Sequence, residues 1–364
     1  MNLNLVAAVN GSGYGVVGFK VLEALTRAGC DVAFFPKPVR GPELSLELDE
    51  VAMVMRCVRA QRTMDMEAPC LRISSEDDLT LFAGRGPRGG LVHFETTAFT
   101  DVELRHLRAL DVLFVASAWA REIAIANGLP PDGVVVAPNG VDRALFIDAD
   151  PPRGGRTVFL HAGAWQHRKG QDAIVEAFSA AFRPGDAVEL QMLCDNPWSA
   201  IDQTRWYDLC RASPMADHIT ILSRLPTLRD VVTLMHGADC GVFPARGEAW
   251  NLEALEMMSC GRPVIATNTA GHTEFVTPDN AMLIEIDELE PAEDPVWNSV
   301  YTRRKTGEWA HLGDRQLEQL VTHMRDVHAR KQAGDVLRND AGIATAEQFS
   351  WARTARCIVE GFSV

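Results

Sequence analysis

No apolar run in the 364-residue sequence approaches the ~18–20 residues that a membrane-crossing helix needs; stretches such as Val112–Ala118 stop far short. Met1–Asn10 lacks the basic start of a secretory leader, and a polar glycine loop follows at once. Cysteine never occurs as C-x-x-C: the eight residues stand apart at 30, 57, 70, 194, 210, 240, 260 and 357. Scattered thiols in a long chain read as reduced core residues of a cytoplasmic protein, not as a disulfide framework or a zinc site. Positive charge is also short. Thirty-five Lys and Arg face 49 Asp and Glu, and the net charge of −14 repels nucleic acid and anionic lipid over most of the surface. No Ser-His-Asp set suggests itself either.

What is present is an ordinary globular composition, 47% hydrophobic and 23% charged, at a length that suggests two domains. Leu3–Val9 is a short apolar strand, Asn10–Gly15 a loop, and Val16–Ala28 carries helical periodicity before Gly29. Asp31–Phe35 is the next strand, so the chain opens as the β-loop-α-β unit of a parallel sheet. Strands at Gly90–Phe94, Asp111–Ala116 and Gly133–Ala137 continue the alternation, while 40–88 has no clear phase. The Asp/Pro/Gly/Arg-rich stretch at 146–156 reads as a linker. A second alternation starts at Thr157–Ala162, and helices over Asp314–Gln332 and Ala344–Gly361 close the chain. The expected architecture is α/β, with two doubly wound Rossmann-like domains, 1–150 and 151–350, facing a cleft. The last helix, about 351–364, is expected to join the first domain.

Two segments point to chemistry. In Pro244-Ala-Arg-Gly-Glu-Ala-Trp-Asn-Leu-Glu-Ala-Leu-Glu256 a strand ends, a loop follows, and a helix begins near Asn251 and Leu252. A helix start offers unpaired N–H groups to an anion, and Glu256, about a turn inside, is placed to accept hydrogen bonds from a sugar diol. Glu248 stands in the loop before it. In Leu160-His-Ala-Gly-Ala-Trp-Gln-His-Arg-Lys-Gly-Gln171, Arg168 presents a planar fork and Lys169 a point charge to phosphate oxygens. Either segment alone also fits an ordinary capped helix or a solvated basic loop.

Taken with Ser223-Arg-Leu-Pro-Thr227, Ser259-Cys-Gly-Arg-Pro-Val-Ile-Ala-Thr267, Ala270-Gly-His-Thr-Glu274, Asn139-Gly-Val-Asp142 and Phe349-Ser-Trp351, these segments resemble glycosyltransferase family 4, the retaining GT-B nucleotide-sugar enzymes. The resemblance covers about 110–364 well and the first hundred residues only generally. It implies that Glu256 holds the donor ribose and Glu248 faces the donor sugar. Lys169 and Arg168 would neutralise the diphosphate beside Gly163, helped by N–H groups of Asn251 and Leu252. It further implies a nucleoside-diphosphate sugar as partner, an acceptor of unknown identity, no cofactor and no metal. Two departures stand out: Gly163-Ala164 replaces the family's Gly-Arg, and Glu248-Ala-Trp-Asn251 replaces Glu-Gly-Phe-Gly.

In the first domain, Gly13-Tyr-Gly15-Val-Val-Gly18 fits G-x-G-x-x-G, the dinucleotide fingerprint. The next strand, however, ends in Phe34-Phe35-Pro36-Lys37, without the acid that a ribose needs. The resemblance instead puts Gly13, Tyr14 and Gly15 near the donor phosphate or acceptor, and His93 beside the donor sugar; a hydrogen-bonded structural histidine is the rival reading. Ser117 and Arg121 match a cleft-lining segment or are structural. Arg56, Arg59 and Arg62 have helical spacing and form either a solvated face or a site for an anionic acceptor. That patch keeps action on modified DNA bases as an alternative, beside an epimerase-type enzyme or a non-catalytic nucleotide-sugar binder. Trp165, Trp198 and Trp250 either stack on sugar or base or are plain packing residues.

Overall fold

The computed structural model describes residues 1–38, 41–196, 200–294 and 307–363. They form two compact units, residues 1–140 with 349–364, and residues 141–348.

Unit 1 alternates β1 (Asn2–Ala7), α1 (Gly13–Arg27), β2 (Asp31–Pro36), α2 (Leu48–Arg59), β3 (Cys70–Ile73), β4 (Arg88–Val92), α3 (Asp101–Leu107), β5 (Val112–Val115), α4 (Ala118–Ala126) and β6 (Val134–Val136). The strands pair in parallel in the order β2-β1-β3-β4-β5-β6. Apolar strands such as Val112–Val115 sit between helical layers, and Phe94, Leu113, Val115, Ala120 and Ala124 are buried together. The unphased region resolves into α2 and β3, a strand only four residues long.

Unit 2 contains β7 (Thr157–Ala162), α5 (Gln171–Ala181), β8 (Val188–Leu193), α6 (Ala200–Ala212), β9 (Ile219–Leu222), α7 (Leu228–Gly237), β10 (Cys240–Phe243), α8 (Leu252–Ser259), β11 (Val264–Thr267) and β12 (Met282–Ile284). A small antiparallel pair follows, β13 (Leu289–Pro291) with β14 (Glu308–Ala310), and then α9 (Asp314–Gln332) and α10 (Asp340–Gln348). The main sheet is parallel, ordered β12-β11-β10-β7-β8-β9. Its strand order reverses between β7 and β10, where an open α/β sheet leaves a crevice beyond the strand carboxyl ends. In unit 1 the reversal falls between β1 and β3. The two expected Rossmann-like halves are therefore present.

Two boundaries differ from expectation. The units divide after Gly140 and not at 150, because the intervening stretch is fastened to unit 2. Arg143 donates to the Ser259 carbonyl at 2.6 Å, Ser259 donates to the Phe146 carbonyl at 2.5 Å, and Arg262 donates to the Asp150 carbonyl at 3.0 Å. The expected helix Ala344–Gly361 is two helices, α10 and α11 (Trp351–Gly361). Ser350 breaks it by capping α11, its hydroxyl accepting from the Arg353 N–H at 3.2 Å. α11 belongs to unit 1, where the Thr354 hydroxyl donates to the Pro138 carbonyl. No helix among the described residues is long and apolar enough to cross a membrane.

Candidate active site

The reversal of strand order in unit 2 places two loops side by side. The first leaves β7 through Gly163, whose φ of +149° lies outside the range that L side chains favour. A Cβ there would stand 2.9 Å from Cδ of Lys169, so the lysine stem lies against a residue that has no side chain. The second loop leaves β10 and runs from Pro244 to Trp250. The Arg246 N–H donates to the Arg168 carbonyl at 2.7 Å and ties the two loops together.

Between them lies a buried ion network. Lys169 Nζ donates to Glu248 Oε1 at 2.6 Å, and Arg168 Nη1 to Glu248 Oε2 at 2.7 Å and to the Gly247 carbonyl at 3.0 Å. Burial alone would raise the Glu248 carboxyl, but Arg168 and Lys169 hold it far below the usual carboxylate range. Burial pulls the Lys169 ammonium down, and Glu248 and Glu253 together more than offset that, leaving it raised. Sequence reasoning assigned the two cations to a diphosphate and the carboxylate to a sugar. The structure brings all three into direct contact.

Asn251 holds φ +79°, a left-handed conformation that asparagine tolerates better than most side chains. It caps α8, its Oδ1 accepting from the Ala254 N–H at 3.1 Å. Its Nδ2 donates to Nε2 of His272 at 3.0 Å, while Nδ1 of His272 faces the Thr267 carbonyl at 3.1 Å. Burial keeps this histidine neutral by lowering its pKa, and a neutral ring can accept and donate at once. Where the resemblance leads one to expect glycine, Asn251 thus makes a capped left-handed turn. Leu252 and Glu253 open the helix, and their N–H groups have no partner among the described residues. Glu256 lies half-buried a turn further on.

In unit 1 the glycine loop starts α1. Ser12 caps the helix by accepting from the Gly15 N–H at 3.2 Å, and Asn10 Oδ1 accepts from the Ser12 N–H at 2.9 Å. A Cβ on Gly15 would fall 2.1 Å from that Asn10 oxygen, so Gly15 serves the turn itself; around Gly13 there is open space. The Tyr14 hydroxyl donates to the His93 carbonyl at 2.9 Å, and its ring meets the imidazole edge-on at 5.6 Å. The Asn139 amide faces His93 Nε2, with Nδ2 at 2.9 Å and Oδ1 at 3.3 Å, so the amide pairs with this nitrogen whether the ring accepts or donates there. Burial lowers the His93 pKa, with Asn139 and Glu95 pulling the other way.

Other candidates have structural duties. Ser117 is fully buried as the cap of α4, and Arg121 donates to the Val134 and Pro131 carbonyls, both at 3.1 Å. Trp165 and Trp250 are buried, Trp165 stacked on Trp206 and Trp250 against Phe275, so neither ring is open to a ligand; Trp198 lies outside the described residues. Arg56, Arg59 and Arg62 are exposed at the end of α2 and just beyond it. In the linker, Asp148 accepts from Arg338 at 2.7 Å. Among the described residues no group of three His, Cys, Asp or Glu side chains could hold a metal ion.

Asn139 and His272 were not recognised in the sequence as site residues. Both stand inside quoted motifs, but their partners, His93 and Asn251, are 46 and 21 positions away.

Residues 156–293, which hold both unit 2 loops, match the family described as Glycosyl transferases group 1. The D-inositol 3-phosphate glycosyltransferase of Paenarthrobacter aurescens is 27% identical over 254 residues, covering 67% of this chain and 55% of that protein. The chain spans about half the length of the curated relatives it matches. Over nearly all of both chains it superposes on sucrose-phosphate synthase from Thermosynechococcus elongatus (TM-score 0.69, 15% identity, covering 99% and 98%). The Anabaena protein HepE, solved in complex with UDP-glucose, gives TM-score 0.69 at 17% identity, covering 100% and 99%. The chain has the GT-B fold.

Proposed function

We propose that the protein is a glycosyltransferase that moves a sugar from a nucleoside-diphosphate donor to an acceptor hydroxyl, with retention of configuration and without a metal. The observation that carries this reading is the contact of Arg168, Lys169 and Glu248 beside the open start of α8, at the strand-order reversal of unit 2. Such a place suits a diphosphate: the helix N–H groups and two cations converge on one crevice in a low-dielectric setting.

The donor phosphates compete with Glu248 for the cations. As the bond from the sugar carbon to the phosphate oxygen breaks, the leaving diphosphate gains negative charge, and Lys169 and Arg168 take up hydrogen bonds to it. The acceptor hydroxyl attacks the same face of the sugar carbon, and the departing phosphate oxygen takes the hydroxyl proton. No protein base is then needed. Glu256 holds the ribose hydroxyls, and we assign unit 1 to the acceptor. That UDP and UDP-glucose complexes exist for the Anabaena neighbour supports a nucleotide-sugar donor.

The test is a thermal-shift panel of UDP-, GDP- and ADP-sugars with and without EDTA, followed by nucleoside-diphosphate release. A shift of several degrees that survives EDTA, with turnover lost in Lys169→Ala, is expected. Binding without any turnover over a broad acceptor set would replace the transferase with a sugar-nucleotide binder. Conversion of the donor at full rate without acceptor would make it an epimerase or hydrolase.

A further inference from the structure

The donor crevice of unit 2 is short of free positive charge. Glu248 engages both Arg168 and Lys169, and two further carboxylates, Glu253 and Glu256, stand in the first two turns of the helix that follows. Glu253 differs from the other two. It is the acidic residue in the first turn of α8, half-buried, with no hydrogen bond or ion pair among the described residues. Its own N–H is one of the two unspent groups at that helix start. Its charge also reaches Lys169, where it is the second carboxylate, after Glu248, to favour the ammonium.

A carboxylate in a first helical turn is held there by the positive end of the helix dipole. That field is the one a phosphate at the Leu252 and Glu253 N–H groups would use. From this placement, and resting on the donor-site reading above, we infer that Glu253 is an anion-repelling residue that limits affinity for the nucleoside diphosphate. The penalty falls on the diphosphate and not on the nucleoside, because only the phosphates share the helix start. Its use is product release: the departing nucleoside diphosphate carries more charge than the donor, so a carboxylate at the helix start loosens product more than substrate.

Isothermal titration of wild type, Glu253→Gln and Glu253→Ser with UDP, GDP and ADP, and with uridine, guanosine and adenosine, tests this. Glu253 is partly exposed, so both variants are expected to fold, and Ser suits an early helix position. The expected result is diphosphate binding about tenfold tighter in both variants, as one removed like charge at short range implies. Nucleoside binding should stay unchanged, and the gain should shrink as salt rises from 0.05 to 0.5 M in screened solution. A gain independent of salt, or shared by the nucleosides, would mark a packing effect and overturn the inference. Wild-type binding of a diphosphate with equal or weaker binding in both variants would also overturn it while leaving the donor site intact. If no protein binds any of the six compounds, the donor-site reading and this inference fall together.

Discussion

Unit 1 and unit 2 each build a six-stranded parallel sheet, and each sends a glycine-containing loop from the strand where the order reverses. The loops are then furnished in opposite ways. In unit 2, Arg168, Lys169 and Glu248 form ionic contacts under 3 Å, largely shielded from water. In unit 1 the corresponding place is held by neutral groups, Asn10 with Ser12, Tyr14 with the His93 carbonyl, and Asn139 with the His93 ring. A shared topology supplies a crevice; the residue chemistry decides whether the crevice suits an anion. A charged network gives strong local order at the risk of large losses when one member goes. A neutral one can be trimmed at modest cost.

Breaking the network is the sharpest way to test that contrast. Glu248→Ala leaves two cations in a buried site without their counter-ion and should destabilise the protein by about 3–5 kcal/mol. Denaturant unfolding measures this; a loss below about 1 kcal/mol would show that water already screens the pair.

Acid should separate the two furnishings next. His161, on β7 beneath the network, donates from Nδ1 to the Val242 carbonyl at 2.7 Å, and burial pulls its pKa down to about 4. The unfolded chain therefore takes up a proton near pH 6.5 that the folded protein refuses until about pH 4. Stability is full above that unfolded value and falls as pH drops between the two, by about 3 kcal/mol. Below this window the depressed Glu248 carboxyl prolongs the loss, because the unfolded chain protonates first. His161→Gln should flatten the upper part of the curve, read as unfolding free energy from pH 7 to 4.

Gly163→Ala is a smaller perturbation. It puts a methyl group against the Lys169 stem at an unfavourable φ, which should cost about 1–3 kcal/mol and slow donor turnover by displacing the ammonium. Equal turnover would separate lysine placement from the glycine. Smallest is Tyr14→Phe, which removes one neutral hydrogen bond and should cost about 1 kcal/mol, seen as a few degrees in Tm with little change in donor binding.

Much of this was legible in the sequence, for reasons that mark where such reading stops. Strand-loop-helix alternation and the two motif segments depend on local periodicity and on residue types, and they marked out both units and drew attention to Arg168, Lys169, Glu248 and Asn251, which lie on two neighbouring loops of unit 2. The ion network was not legible, since its partners lie 79 and 80 positions apart and meet only through the pairing of β10 with β7. The tryptophans stayed open between stacking and packing because a loop position does not reveal burial: Trp165 is stacked beneath its loop. The helix break at Ser350 was hidden by apolar spacing that continues across it, although the capping serine was in plain view.

α11 carries a further consequence. It is spelled out after all of unit 2, yet Gly140 is moulded to the backbone of Trp351, and Phe362 packs its ring on Phe114 at 5.3 Å. A ribosome therefore delivers residues 1–140 first but withholds the piece that finishes their packing until the intervening unit has emerged. Domains generally fold as they are synthesised, amino-terminal first. Here one step is postponed: residues 1–140 meet α11 only after all of unit 2 has been made, so the Phe114–Phe362 contact closes late.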